Sequence, residues 1–394
     1  MCFPTRYSSP APAYSPRSSS PTYSSTSRPT ERTLHRSRGR SQSPTGVFVR
    51  RSGDVTLMIF GQEENIEQPL VRPSAPLTGS VLIQKAENIK SVVLTINGHL
   101  ETLPLAGSYL SVPLFSVTHK LHETDHKGAP TCPNSFAFSQ RFPSVFRHDG
   151  RLCNLPPTCH ITFGSLHFIK CVYHITVVAT SVRHRPASFL TRSDSVSFDL
   201  TYRPRTSPAR PLLSNPSIYG TIKTCPEEWM QASHMVELSG QHDAPSLICN
   251  LFAPAVDVFC VLEPIPFHLQ LSTSRKYLQN IFSGPLPLVK VYILRQIAMN
   301  ARGRMVTQSL ILGQGTIRPL PADRRHTLNW EGEACCRDPA SVVGTFECGT
   351  IAVVTDRLMV EISPPHKATD SVQLRWPRFQ FGYTIKLTTH KWDY

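Results

Sequence analysis

Residues 77–100, LTGSVLIQKAENIKSVVLTINGHL, hold two short runs of alternating apolar residues, and their reading decides the fold class. Val81 and Ile83 alternate with Leu82 and Gln84. Val92, Leu94 and Ile96 alternate with Val93, Thr95 and Asn97. A period of two places each apolar set on one face of a strand. The polar stretch Lys85–Lys90 has the length of a hairpin loop, and Asn97-Gly98 is a turn signal because both residues tolerate positive φ. The stretch therefore predicts an antiparallel β pair with a polar outer face.

The same period recurs on both sides. Val55, Leu57 and Ile59 form one apolar face, and Leu114, Phe115 and Val117 mark a strand within the irregular stretch Glu101–Pro133. Phe136 and Phe138 alternate, and Leu155-Pro156-Pro157-Thr158 is a rigid turn. In 168–182, FIKCVYHITVVATSV, one face carries Tyr173, Ile175, Val177 and Ala179, the other His174, Thr176 and Thr180. Val196, Phe198 and Leu200 make a last strand before YRPRTSPARPLLSNP, residues 202–216, whose four prolines and three arginines read as a semi-extended linker. Beyond it, strands are predicted around Val256–Cys260, Phe267–Leu271, Val289–Arg295, Ser309–Leu312, Thr345–Thr355, Leu358–Ile362 and Phe379–Lys386. Helical periodicity is weak, with one short helix expected at Arg275–Phe282.

Composition agrees with this class. A chain of 394 residues has room for about two domains. Its 35 prolines suit short strands and bends better than long helices. The reading is all-β: a basic disordered tail at 1–53, a first β-sandwich at 54–201, the linker at 202–216 and a second β-sandwich at 217–394. The tail is rich in Ser, Pro, Arg and Tyr and too poor in apolar residues to offset the entropy of ordering. Its seven prolines in residues 1–50 oppose the amphipathic helix of a transit peptide.

Net charge is +14, of which residues 1–51 carry +8 from nine Arg and one Glu. A basic excess either serves solubility or favours anionic membrane surfaces. No nucleic-acid motif accompanies it, so nucleic acid is not an expected partner. Ser9, Ser15, Ser20 and Ser43 each precede a proline near arginines; phosphorylation there would cancel the tail's charge, and the bland alternative is an unmodified tail. The eleven cysteines contain no C-x-x-C, and with no signal peptide or apolar run of membrane-span length, a cytoplasmic chain with reduced, buried thiols is expected.

Few residues suggest chemistry. His119, His122 and His126, with Cys132 beyond, are spaced for a metal only on a helix, and a solvated loop is the better reading. Adjacent Cys335-Cys336 read as free thiols, and Gly313 and Gly315 as a turn rather than a dinucleotide fingerprint. No G-x-S-x-G and no P-loop occurs. Neither a catalytic residue, a cofactor nor a metal is expected. Lys85 and Lys90 in the hairpin loop, and Arg183 and Arg185 at the end of the best strand, would suit phosphate or acidic cargo, or merely be solvated. Arg295 continues the inward face of an apolar strand. Either it is buried against a carboxylate or the strand ends at Leu294.

The ordered set Gly79–Ile83, Val92–Gly98, Phe136–Phe138, Leu155–Thr158 and Tyr173–Val177 resembles the arrestin N-terminal domain as found in fungal arrestin-like proteins of the α-arrestin branch. Ile265–His268, Val289–Ile297, Trp330-Glu331-Gly332 and Ile362–Pro365 fall in the order of the arrestin C-terminal domain. The resemblance spans roughly residues 54–392. It implies two tandem arrestin-type sandwiches and a non-enzymatic adaptor. Such an adaptor binds cytosolic segments of membrane proteins at the plasma membrane or endosomes for endocytic trafficking. It further implies ubiquitination through a WW-domain HECT ubiquitin ligase recruited by P-P-x-Y, a polyproline II segment docked on aromatic rings. The chain lacks P-P-x-Y; its nearest substitutes are Pro12-Ala13-Tyr14 and Pro21-Thr22-Tyr23. The alternative is a structural or signalling scaffold of arrestin fold without ligase recruitment. An enzyme on a jelly-roll-like sandwich would be marked by His or carboxylate groups gathered in one pocket.

Overall fold

The computed structural model describes residues 44–73, 75–105, 107–124, 132–163, 165–185, 188–204, 208, 218–237, 246–274, 288–321, 327–363 and 378–389. Its strands in the first half are β1 (Gly46–Ser52), β2 (Val55–Gln62), β3 (Leu70–Val71), β4 (Pro76–Ile83), β5 (Ile89–Leu103), β6 (Leu110–Glu123), β7 (Ser135–Arg141), β8 (Val145–His148), β9 (Arg151–Asn154), β10 (Cys159–Phe163), β11 (His167–Arg185) and β12 (Ser188–Tyr202). A short helix, α1 (Ile218–Thr224), precedes the rest. These are β13 (Trp229–Val236), β14 (Leu247–Pro254), β15 (Val258–Cys260), β16 (Ile265–Ser272), β17 (Leu288–Ala301), β18 (Arg304–Pro319), β19 (Thr327–Cys336), β20 (Phe346–Cys348), β21 (Ala352–Ser363) and β22 (Phe379–Thr388). The chain is all-β. No described helix is long and apolar enough to cross a membrane.

In the first half, a four-stranded sheet of order β1-β2-β4-β7 faces a sheet of order β3-β12-β11-β5-β6, with β10 beside β11. Their inner faces meet in one core. Val55, Leu57, Ile59, Val81 and Ile83 come from the first sheet, and Val92, Leu94, Ile96, Tyr173 and Ile175 from the second. Each such side chain, once fully buried, contributes about 1.5–3 kcal/mol.

The hairpin expected over 77–100 is not formed. β4 pairs with β2 and β7, whereas β5 pairs with β11 and β6. Lys85–Lys90 carries the chain from one layer to the other. The two apolar faces stack across the core instead of lying side by side, a choice that periodicity alone does not make. Asn97-Gly98 is not a turn either, and lies inside β5. Gly98 sits opposite Tyr173 and Phe115, and a Cβ there would come within 2.5 Å of the Tyr173 ring. The glycine makes room for an aromatic ring and has no role in reversing the chain. Tyr173 in turn donates its hydroxyl to the Pro156 carbonyl at 2.6 Å, tying the Pro156-Pro157 turn to the core.

Two further expectations are corrected here. The last residues of the supposed tail form β1, an edge strand paired with β2 along its whole length. Its Val47-Phe48-Val49 run gives enough β propensity to overcome the composition around it. His119 and His122 do not sit in a loop, since both belong to β6, paired with β5. His126 lies outside the described residues, as do the expected helix at 275–282 and most of the linker (205–207 and 209–216).

The second half is a single curled ladder of order β13-β14-β16-β19-β18-β17-β21-β22-β15, with β20 beside β21. It folds over into two layers because β18 serves both. Residues 304–314 pair with β17, and residues 313–319 pair with β19. A strand that switches sheets needs a bulge and small residues at the corner. The bulge falls opposite Ile293/Leu294, and Gly313 and Gly315 form the corner. A Cβ on Gly313 would overlap the Cys335 carbonyl, and one on Gly315 would crowd Phe267 and Val291, which come from opposite layers. These glycines are therefore a strand corner and not the turn expected from sequence. The core between the layers holds Phe267, Leu269 and Trp330 against Val291, Val360 and Ile385.

No strand pairing joins the two halves among the described residues. They meet through side chains. Ile297, Met299, Ile351, Ala352 and Val354 of the second half are buried in the core of the first. Gly98→Ala should lower stability by about 1–3 kcal/mol, as overpacking of a filled core does. Urea unfolding should show an earlier midpoint at an unchanged slope, and an unchanged midpoint would contradict the packing described.

Candidate functional site

Arg295 and Asp356 are the most deeply buried charged residues in the chain's described part, 2% and 0% exposed. They are direct cross-strand partners on β17 and β21. Arg295 Nε donates to Asp356 Oδ1 at 2.8 Å, and Nη2 donates to Oδ2 at 2.9 Å. This fork-to-fork geometry is the strongest form of the pair. Two more bonds extend it. Arg295 Nη2 donates to the Val343 carbonyl at 2.8 Å, and Thr345 Oγ1 donates to Asp356 Oδ2 at 2.8 Å. Thr345 is also held to β22, with its hydroxyl accepting from Leu387 N at 2.8 Å and its own N–H donating to Leu387 O at 3.0 Å. The ion pair and the Thr345 bonds to β22 together pin the segment 343–345, which lies outside the described strands.

That segment is one wall of a cleft of about 510 Å³ between the two halves. Pro339–Thr345, Val261 and Leu262 stand on one side. Thr158, Cys159, His160, Lys170, Asp199, Thr201 and Arg203 stand on the other. The floor is the outer face of the six-stranded sheet, where β10, β11 and β12 alternate apolar residues inward and polar residues outward. The polar row continues beyond the cleft. His174 Nδ1 lies 2.5 Å from Asp199 Oδ1, His99 Nε2 lies 3.1 Å from Glu101 Oε1, and the two imidazoles stack at 5.3 Å. Lys170 reaches Glu101 at 3.9 Å. The cleft therefore offers mixed charge, hydroxyls and one apolar lip. Among the described residues, no three His, Cys, Asp or Glu side chains are grouped to hold a metal ion.

The cysteines are free thiols in the described part, and most are buried. Burial pushes Cys159 up to about 12, against smaller opposing effects from the Cys171 backbone and the Arg295 charge. Burial likewise pushes Cys336 up to about 11. These groups are protonated in the fold at neutral pH.

The remaining sequence-derived candidates do not converge. Lys85 is 79% exposed and lies 3.4 Å from Asp54 across the loop. The hollow of about 560 Å³ beside it brings Lys85 and Arg192 together with Asp54, Glu87 and Asp194, so its cations are already offset. Lys90 is the second residue of β5 and not in the loop, and its carbonyl accepts from Thr124 N at 2.9 Å. Arg183 and Arg185 end β11, as expected, paired with Leu190 and Ser188; their side chains lie outside the described part. Pro12, Tyr14, Pro21, Tyr23, Ser9, Ser15, Ser20 and Ser43 lie outside the described residues as well. Sequence reasoning missed Asp356 and the 339–345 wall. The signal for Asp356 was present: it interrupts the apolar face Ala352, Val354, Leu358 with an acid, the same anomaly that marks Arg295.

No family model matches the chain, and comparison with curated proteins gives no significant match.

Two outcomes follow from this geometry. Asp356→Ala should cost about 3–5 kcal/mol because it leaves a buried guanidinium unpaired, while the double change Arg295→Met, Asp356→Leu should cost much less. Chemical unfolding of the three proteins checks this, and equal losses in the single and double variants would contradict it. Because Cys159 ionises near 12 in the fold and near 9.0 ordinarily, the stability it carries is complete below pH 9.0 and falls as pH rises toward 12. Iodoacetamide at neutral pH should accordingly label exposed Cys335 and spare Cys159, Cys171, Cys249 and Cys348 until the chain unfolds.

Proposed function

We propose that this chain is a non-enzymatic adaptor of arrestin type, which holds an extended cytosolic segment of a membrane protein in the cleft between its halves. The observation that carries the reading is the pinned wall. A buried bidentate pair, Arg295–Asp356, fixes the 343–345 segment opposite the polar floor of the six-stranded sheet. Preorganising one wall lowers the entropy cost of gripping a flexible partner. Lys170, Asp199, His160 and Arg203 supply polar contacts along the floor, and Val261 and Leu262 supply the apolar lip. Catalysis forms no part of the proposal.

In this reading the basic tail is the second module. Pro12-Ala13-Tyr14 and Pro21-Thr22-Tyr23 stand in for the missing P-P-x-Y and recruit a WW-domain ubiquitin ligase. Phosphorylation of Ser9, Ser15, Ser20 or Ser43 tunes contact with anionic membrane at the plasma membrane or endosomes.

The test is affinity purification with mass spectrometry on the full chain and on Tyr14→Ala/Tyr23→Ala. The expected result is a WW-domain ubiquitin ligase recovered with the first and lost from the second, with membrane-protein cargo recovered by both. Recovery of cargo without ligase from either chain would replace the ubiquitin half of the proposal with a scaffold, and recovery of neither would sink the adaptor reading.

A further inference from the structure

The hairpin β17–β18 turns at Arg302-Gly303, both at positive φ (55° and 82°), as a two-residue turn between tightly paired strands requires. β17 is then covered on both sides, by β18 and by β21. β18 is not. β19 reaches it only from Gly313 onward, so residues 304–311 have no strand on their outer side among the described residues. They form a free edge at the rim of the second half.

Past Arg304 at its start, this edge lacks the usual protection. Natural edge strands carry charge, proline or a bulge that discourages further pairing. β1 has Arg50 and Arg51, β6 has Pro113, Lys120 and Glu123, and β7 has Arg141. The run Met305-Val306-Thr307-Gln308-Ser309-Leu310-Ile311 has no charge and no proline. It exposes Met305, Leu310 and Ile311 at 46%, 38% and 50%. Edges of this composition add strands readily.

We propose that the edge pairs with the same edge of a second copy, antiparallel about Gln308, to give a closed two-fold dimer. The run is complementary to itself in that register. Met305 falls opposite Ile311 of the second copy, Val306 opposite Leu310, Thr307 opposite Ser309, and Gln308 opposite Gln308. Apolar meets apolar, hydroxyl meets hydroxyl and amide meets amide in these pairs, and none of the seven residues is charged. The faces agree as well. Val306 and Gln308 stand opposite Met299 and Ile297 of β17, which are buried in the first core, while Met305 and Ile311 belong to the other face. Both faces of the new ladder are therefore matched, so each exposed apolar side chain gains a partner and each outward N–H and C=O a bond. An isologous contact of this kind uses up the edge on both copies and stops at two.

Sedimentation of the full chain at rising concentration, against Ile311→Glu, Met305→Lys and the two together, tests this. The wild type should reach twice the 44.0 kDa chain mass and go no further. Each single variant should remain at the chain mass, because two carboxylates or two ammoniums would be buried near apolar neighbours. The double variant should dimerise again, since the introduced ammonium of each copy then meets the introduced carboxylate of the other, twice over. Within one chain the two substituted positions are about 20 Å apart along the strand, so the rescue cannot arise inside a monomer. Circular dichroism melts of the variants separate loss of pairing from loss of fold. A wild type that stays monomeric at every concentration overturns the proposal. So does a mass that climbs past two chains, or a dimer indifferent to both single variants.

Discussion

One buried ion pair organises the part of this protein where its two halves meet. Arg295 and Asp356 face each other across neighbouring strands with almost no solvent. Removing two charges from water is costly, and only near-ideal geometry with further hydrogen bonds compensates for it. Here the compensation is visible in the Val343 carbonyl and the Thr345 hydroxyl, which complete the coordination of both groups. The same bonds hold the one irregular wall of the interhalf cleft. Apolar residues of equal volume would be at least as stabilising, so what the pair adds is a defined position for the Val343 carbonyl and the Thr345 hydroxyl, outside the described strands.

The halves are coupled by apolar contact. The strands that carry Arg295 and Asp356 continue past them, and their ends, with Ile297, Met299, Ala352 and Val354, close the core of the first half. The pair therefore lies where the second core ends and the first begins. Two strands thus run from the wall of the cleft into both cores. The curled ladder of the second half arises from the same economy. One strand, β18, bends at Gly313 to serve both layers, and its remaining length is left at a rim.

Much of this was legible in the sequence, and the exceptions have a common cause. Period-two alternation located the inward faces of β2, β4, β5, β11, β16 and β17, because burial on one side is written in composition. Partnership was not legible. The segment 77–100 reads equally well as a hairpin or as a layer crossing, since both place apolar faces inward, and only the competition among all strands decides. Gly98, Gly313 and Gly315 read as turns because local rules assign glycine to positive φ, whereas each is small to admit a neighbour distant in sequence. Arg295 was conspicuous as a charge on an apolar face. Asp356 carried the same mark, but the match between them depends on a register that no local signal encodes. The cleft wall at 339–345 has no periodicity at all and was invisible for that reason.

Amide hydrogen exchange over residues 340–345, in the wild type and in Asp356→Asn, which keeps the shape of the side chain and removes its charge, tests the pinning of the wall by the ion pair. If the ion pair pins the wall, these amides are protected in the wild type and exchange markedly faster in the variant, while β5 and β11 keep their protection. Equal protection of 340–345 in both proteins would contradict the account, because the wall would then be held by something other than Arg295 and Asp356.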